Sequence, residues 1–186
     1  MSQTMGEIEL SEGCRRGDNL SRKILYQQYA GRMLGICLRY SPDRETAEDL
    51  MHNGFIKIYH SFDKFTWRGE GSLRAWMERI MMNTALQYLR KQDVMSQASA
   101  LENSPELCEE PAEAEVERVP EHVLMQFINE LPAGYRTVFN LYVFEDKSHK
   151  EIAELLGIHE KSSASQLFRA KSTLARKIKE WIRLHG

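Results

Sequence analysis

Apolar residues recur every three or four positions along most of the chain, and no stretch alternates long enough to suggest a strand. The first helical pattern starts at Asn19 and runs through Leu20, Ile24, Leu25, Tyr29, Met33, Leu34, Ile36, Cys37 and Leu38. It stops at Tyr40-Ser41-Pro42, because a residue preceding proline resists the helical backbone. Pro42 opens a second helix with Asp43, Glu45, Glu48 and Asp49 in its first turns, where the helix dipole favours acids. Leu50, Met51, Phe55, Ile58 and Tyr59 form its apolar side, and Asp49, His52, Asn53 and Lys57 share another face. A third helix follows from Leu73 to Lys91, with an apolar side of Leu73, Trp76, Met77, Ile80, Met81, Thr84, Leu86 or Gln87, Tyr88 and Leu89.

Periodicity then fails over residues 92–119, where serine, alanine, proline and a run of glutamates leave too little to bury. It returns after Pro120 with Val123, Leu124, Phe127, Ile128 and Leu131, ends at Pro132, and resumes with Val138, Phe139, Tyr142 and Val143 as buried positions. Ser148 and Glu151 have the spacing of a capping box ahead of Ile152, Ala153, Leu155 and Leu156. Gly157 supplies the left-handed residue that often closes a helix. A second helix restarts near Glu160 with Ala164, Leu167, Ala170 or Lys171, Leu174, Ile178 and Ile182 on its apolar side. Two helices around a tight glycine turn make a helix-turn-helix. An ordinary helical hairpin with a solvated face is the plain alternative.

The expected fold is therefore all-α, with two helical domains joined by an acidic linker. Residues 1–18 are a short lead-in, 19–93 an N-terminal helical bundle, 94–119 the linker, and 120–186 the helix-turn-helix domain. Charge follows the same division. The formal net charge of −2 over 186 residues is distributed as −2, +4, −7 and +3 over residues 1–18, 19–93, 94–121 and 122–186. Mildly basic blocks flanking an acidic tract suit a chain whose contact faces, rather than its total charge, meet nucleic acid.

Composition narrows the classes. No run of about 18 apolar residues is present, so membrane insertion is not expected. The N-terminus lacks a basic segment followed by an apolar one, so no secretory signal is expected. The three cysteines, Cys14, Cys37 and Cys108, are scattered and odd in number, which points to reduced thiols in a cytoplasmic setting. Without a CxxC or a His/Cys cluster, neither metal nor cofactor is called for. His52 stands alone at helical spacing and reads as a surface histidine. No Ser/His/Asp or Cys/His set can be assembled, and His149 and His159 have no carboxylate company, so an enzyme is not indicated.

Two stretches carry candidate chemistry. Phe62 to Ser72 (FDKFTWRGEGS) concentrates aromatics around Gly69 and Gly71, with Arg68 beside Trp67. Aromatic faces next to arginine suit stacking on unpaired bases. Anchoring to the core is the other use of such rings, and it is the preferred one for Phe62 and Phe65. The start of the last helix offers Lys161, Ser162, Ser163, Ser165, Gln166 and Arg169, donors suited to phosphate oxygens and base edges in a major groove.

Taken together, the segments AEDLMHNGFIKIYHSFDKF, SLRAWMERIMMNTALQYLRK, LPAGYRTVFNLYVFEDKSHKEIAELLGI and SASQLFRAK resemble, in that order, the sigma-70 family in its small extracytoplasmic-function branch. The resemblance covers most of the chain from about residue 19. It implies a bacterial promoter-recognition subunit without a middle domain, whose partners are core RNA polymerase (clamp and flap), promoter DNA and an anti-sigma factor or other regulator. It implies polymerase docking through Asp49, His52, Asn53 and Phe55. The opened −10 strand would be held by Trp67, Arg68, Glu70, Arg79, Asn83 and Gln87, and the −35 element by Lys161, Ser162, Ser165, Gln166 and Arg169. The chain departs from the family at His52-Asn53, where a Gln-Glu pair is common, and at Gly54. It departs again at Lys161 to Gln166, where the family's run ends in arginine, a residue able to bind guanine bidentately. A stand-alone helix-turn-helix regulator is the alternative function.

Overall fold

The computed structural model describes residues 5–92 and 111–186. Among them are nine α-helices and no strand: α1 (Glu7–Arg15), α2 (Asn19–Tyr40), α3 (Arg44–His60), α4 (Ser72–Lys91), α5 (Glu113–Val116), α6 (Glu121–Asn129), α7 (Ala133–Val143), α8 (His149–Leu156) and α9 (Glu160–His185). They fall into two compact units, within Met1–Tyr88 and Leu89–Gly186. The acidic linker expected over 94–119 lies outside the described residues as far as residue 110. Its end is structured: α5 packs on α9 and Val119 is buried, so this part folds with the second unit.

In the first unit α2 packs against α1 and α3. Asp18 caps α2 by accepting from the Ser21 amide at 2.8 Å, and Asp43 caps α3 by accepting from the Thr46 amide at 2.7 Å. The core gathers Leu25, Met33, Ile58, Phe62, Leu73, Met77, Met81 and Leu86, all fully buried. Gly54, a poor helix former in mid-helix, is explained here. A Cβ at that position would collide with the sulfur and terminal methyl of Met81, so the thioether of α4 fills the space that a side chain at Gly54 would need. Cys37 is the small buried hydrophobe its position suggested, and burial pushes its thiol up to about 12. The lead-in also contributes to the core, since α1 buries Leu10 and Cys14 completely.

The second unit closes around Ile128, Leu131, Tyr135, Ala170 and Leu174. Arg136, itself buried, donates from Nη1 to the Asn129 carbonyl at 2.8 Å and ties α7 to the end of α6. The outer turn of α7 corrects one expectation. Val138 is buried, but Tyr142 and Val143 are exposed together with Phe144, because Tyr135, Val138 and Leu141 take the inward positions. No helix among the described residues is long and apolar enough to cross a membrane.

Candidate nucleic-acid interface

The loop between α3 and α4 begins with a 3-10 turn, Phe62–Lys64. Phe62 and Phe65 are buried and anchor it, with Trp76 of α4 packed against both at centroid distances of 5.2 and 5.1 Å. Above these rings opens a cleft of about 430 Å³, lined among others by Lys64, Phe65, Thr66, Arg68, Trp76 and Arg79. Its charged lining is wholly cationic and its rings offer a flat wall, a combination suited to an unpaired base with its phosphate.

The sequence-derived −10 residues divide around this cleft. Arg68 and Arg79 line it. Trp67 (47 % exposed) and Glu70 stand in the adjacent loop, outside the lining. Asn83 and Gln87 continue the Arg79 stripe along α4, one turn apart and exposed. Gln87 is already engaged, since its Oε1 accepts from Lys57 Nζ at 2.9 Å. Lys64, Thr66 and Trp76 are lining residues that pattern reading missed. Periodicity puts Trp76 on the apolar side, and Arg79 at i+3 shares its edge of the helix.

On α3, Asp49, His52 and Asn53 are exposed on one stripe, as expected. Phe55 is not. It is 2 % exposed, packed between Tyr26 and Tyr59 at centroid distances of 4.8 and 6.0 Å, and unavailable to a partner. The apolar residue on the outward stripe is its neighbour Ile56, 54 % exposed and one turn beyond Asn53. His52 leans on Tyr26, whose hydroxyl lies 3.3 Å from Nε2.

The helix-turn-helix forms as its sequence dictates. The Ser148 amide donates to Glu151 Oε2 at 2.9 Å and the Glu151 amide to Ser148 Oγ at 3.3 Å, completing the capping box. The bond from the Ser148 amide, and after it one from the Ser148 hydroxyl, which donates to Oε2 at 2.8 Å, hold the Glu151 carboxyl below its usual range. Gly157 closes α8 at φ 68°. His149 Nδ1 lies 3.0 Å from Ser163 Oγ, which links α8 to α9.

The burial pattern along α9 agrees with that link and corrects the expected rotation of the helix. Ser163 and Gln166 face inward with Leu167, Ala170 and Leu174, while Ala164 is exposed. Gln166, expected on a base edge, is 6 % exposed and has an unpartnered Oε1. Arg169 is half-buried and donates from Nη1 to the Tyr135 hydroxyl at 3.1 Å, so one arm of its guanidinium serves the fold. Lys161 and Ser165 are exposed and Ser162 half-buried. Phe168, half-exposed on the Ser165 side, was not anticipated.

Two family models match the chain in order: sigma-70 region 2 over residues 25–94 and sigma-70 region 4 over residues 121–174. Full-length relatives agree. The RNA polymerase sigma-H factor of Pseudomonas aeruginosa is 29% identical over 185 residues, covering 94% of this chain and 95% of the relative. The ECF RNA polymerase sigma-E factors of Haemophilus influenzae and Escherichia coli K12 are each 27% identical. They cover 96% and 98% of this chain, and 98% and 100% of their own lengths. Both regions in one chain do not favour a stand-alone regulator. The chain belongs to the sigma-70 family, as a sigma factor of the extracytoplasmic-function branch that directs RNA polymerase to promoters.

Proposed function

We propose that the two units divide promoter recognition along the faces described above. The unit containing α1–α4 acts as sigma domain 2 and docks on the polymerase clamp through Asp49, His52, Asn53 and Ile56. Its cleft between the α3–α4 loop and α4 takes one unpaired base of the −10 strand, with Arg68, Arg79 and Lys64 on the backbone side. Trp67, Glu70, Asn83 and Gln87 extend this surface along the strand. The unit containing α6–α9 acts as sigma domain 4. It sets Lys161, Ser162 and Ser165 in the major groove of the −35 element, with Phe168 beside them for apolar contact with a thymine methyl. Exposed Tyr142, Val143 and Phe144 suit an apolar contact with the flap. An anti-sigma factor that covers the α3 stripe would compete with the clamp.

The single observation carrying this reading is the cleft, in which aromatic walls and cations converge without an acid among the lining residues. Melting costs a few kcal/mol of stacking per base, which an aromatic platform can offset by about 1–3 kcal/mol. The energy is thus of the right size to favour opening once polymerase holds the DNA. Two weak DNA contacts at fixed spacing multiply through tethering, so neither unit needs high affinity alone.

The test is permanganate footprinting of unpaired thymines with core polymerase and promoter. Arg79→Ala and Trp67→Ala should bind polymerase normally and form open complex more slowly than wild type. Wild-type opening rates in both variants would remove the cleft and its loop from the mechanism.

A further inference from the structure

The second half of the α3–α4 loop, residues 66–71, is poorly supported by its own chain, whereas the entry turn is closed by backbone bonds and the buried Phe62 and Phe65. Gly69 and Gly71 have φ of 120° and 85°, conformations in which glycine is permissive rather than constrained. Within the loop, Arg68 N donates to Ser72 Oγ at 3.2 Å and Ser72 N to the Gly69 carbonyl at 3.1 Å. Gly71, immediately before α4, offers no side chain to cap that helix. Yet residues 66–70 flank or line the cleft and would need a fixed shape to hold a base.

The missing constraint comes from α1, which grips the loop at both ends. At its C-terminal end Arg15 donates from Nε to the Phe62 carbonyl at 3.3 Å and from Nη2 to the Phe65 carbonyl at 2.8 Å. These carbonyls bracket the entry turn. At its N-terminal end Glu7 Oε2 accepts from the Gly71 amide at 3.0 Å and the Leu73 amide at 3.3 Å. It thereby caps α4 from a distant part of the chain, a carboxylate on a helix N-terminus. Tyr29 Oη, 3.5 Å from Glu7 Oε1, steadies the second carboxylate oxygen. The two gripping residues are eight positions apart on one helix, about 12 Å along its axis at helical rise. Leu10 and Cys14, fully buried between them, fasten the helix to the core.

We propose that α1 is a strut which holds the base-capture loop in its working shape, with Glu7 and Arg15 as positioning residues for promoter opening. Neither residue lines the cleft, and both act through backbone groups of the loop. The inference rests on the reading of that loop as the −10 capture element. It assigns to the lead-in segment a part in melting and none in polymerase docking.

The test uses the full chain with Glu7→Ala, Glu7→Gln and Arg15→Ala. Limited trypsin digestion of the free factor, read by mass spectrometry, reports cleavage after Lys64 and Arg68 in the loop and after Lys57 on α3. Footprinting with core polymerase then gives open-complex formation on the cognate promoter and on promoters with single −10 substitutions. Loss of a charge-assisted bond should speed cleavage at Lys64 and Arg68 about tenfold in Glu7→Ala and Arg15→Ala, with Lys57 unchanged. The same variants should lose most of their discrimination between −10 sequences while binding polymerase as wild type. Glu7→Gln keeps an acceptor for the two amides and should restore both loop protection and discrimination. Unchanged loop cleavage in both alanine variants would overturn the strut, as would equal acceleration at Lys57, which marks a role in overall folding only. Equal losses in Glu7→Gln and Glu7→Ala would overturn the capping role of Glu7. A loosened loop with normal opening and discrimination would leave the strut in place and overturn the capture reading on which its function depends.

Discussion

Phe55 and Ile56 are adjacent apolar residues, and the structure assigns them opposite duties. Phe55→Ala empties a site that is 2 % exposed and ringed by Tyr26 and Tyr59. Such truncations cost about 3–5 kcal/mol. At roughly 4–8 °C per kcal/mol for a domain of this size, the first unit should melt at least ~12 °C lower, near the limit of folding. Ile56 is 54 % exposed, so its truncation costs the free protein little. On docking it would lose that exposed half of its surface. Ile→Ala removes about three carbon groups worth ~0.8 kcal/mol each when fully buried. Half of that is roughly 1 kcal/mol, or about a fivefold rise in Kd for core polymerase. Calorimetry of the free variants and fluorescence-anisotropy titration against core polymerase measure the two effects. The reasoning is refuted if Phe55→Ala keeps its melting temperature but loses polymerase, or if Ile56→Ala binds with wild-type affinity.

Three further outcomes are expected. Gln166→Leu removes a buried acceptor with no partner and should leave the second unit at least as stable, with its preferred −35 sequence unchanged, whereas Ser165→Ala should weaken −35 binding; thermal melts and selection from a random DNA pool check both. Gly54→Ala forces a methyl against the Met81 side chain, and overpacking of about 1–3 kcal/mol should outweigh the ~1 kcal/mol gained in helix propensity, so the denaturation midpoint should fall. The Glu151 carboxyl titrates below its ordinary 4.5, so its contribution to α8 is present in full above that pH and lost as pH falls through the depressed value; the protection of the Ser148 amide, taken as exchange relative to the intrinsic rate at each pH, should fall only in that acid window, and Glu151→Ala should abolish the dependence.

Seven of the nine helices among the described residues were legible in the chain, because caps and breakers coincide with periodicity; α1, in the lead-in, and α5, in the expected linker, were not. Asn19–Tyr40 is bounded by Asp18 and the residue before Pro42, and the Ser148–Glu151 box and Gly157 mark α8 as closely as the structure does. Helix rotation was less legible. In α9 a hydrophobicity pattern favours Ala164 over Ser163, whereas the buried residue is Ser163, whose hydroxyl meets His149 fourteen positions away. Phe55 and Ile56 pose the same problem, since only the rings of Tyr26 and Tyr59 decide which turns inward. The cleft was half legible: its aromatics and arginines stood out, but Lys64 and Thr66 acquire meaning only when the loop folds and brings them to one cleft with Trp76. The role of α1 was invisible, because Glu7 and Arg15 find their partners 47 to 66 residues away.

The central claim is that this chain confers promoter recognition on RNA polymerase. Its most direct test is run-off transcription with core polymerase on a genomic DNA pool, with sequencing of the transcript starts. The account predicts starts that appear only when the protein is added, each lying a fixed distance downstream of two sequence elements at constant spacing. Starts that are unchanged by the protein, while the protein alone binds DNA tightly at palindromic sites, would contradict it.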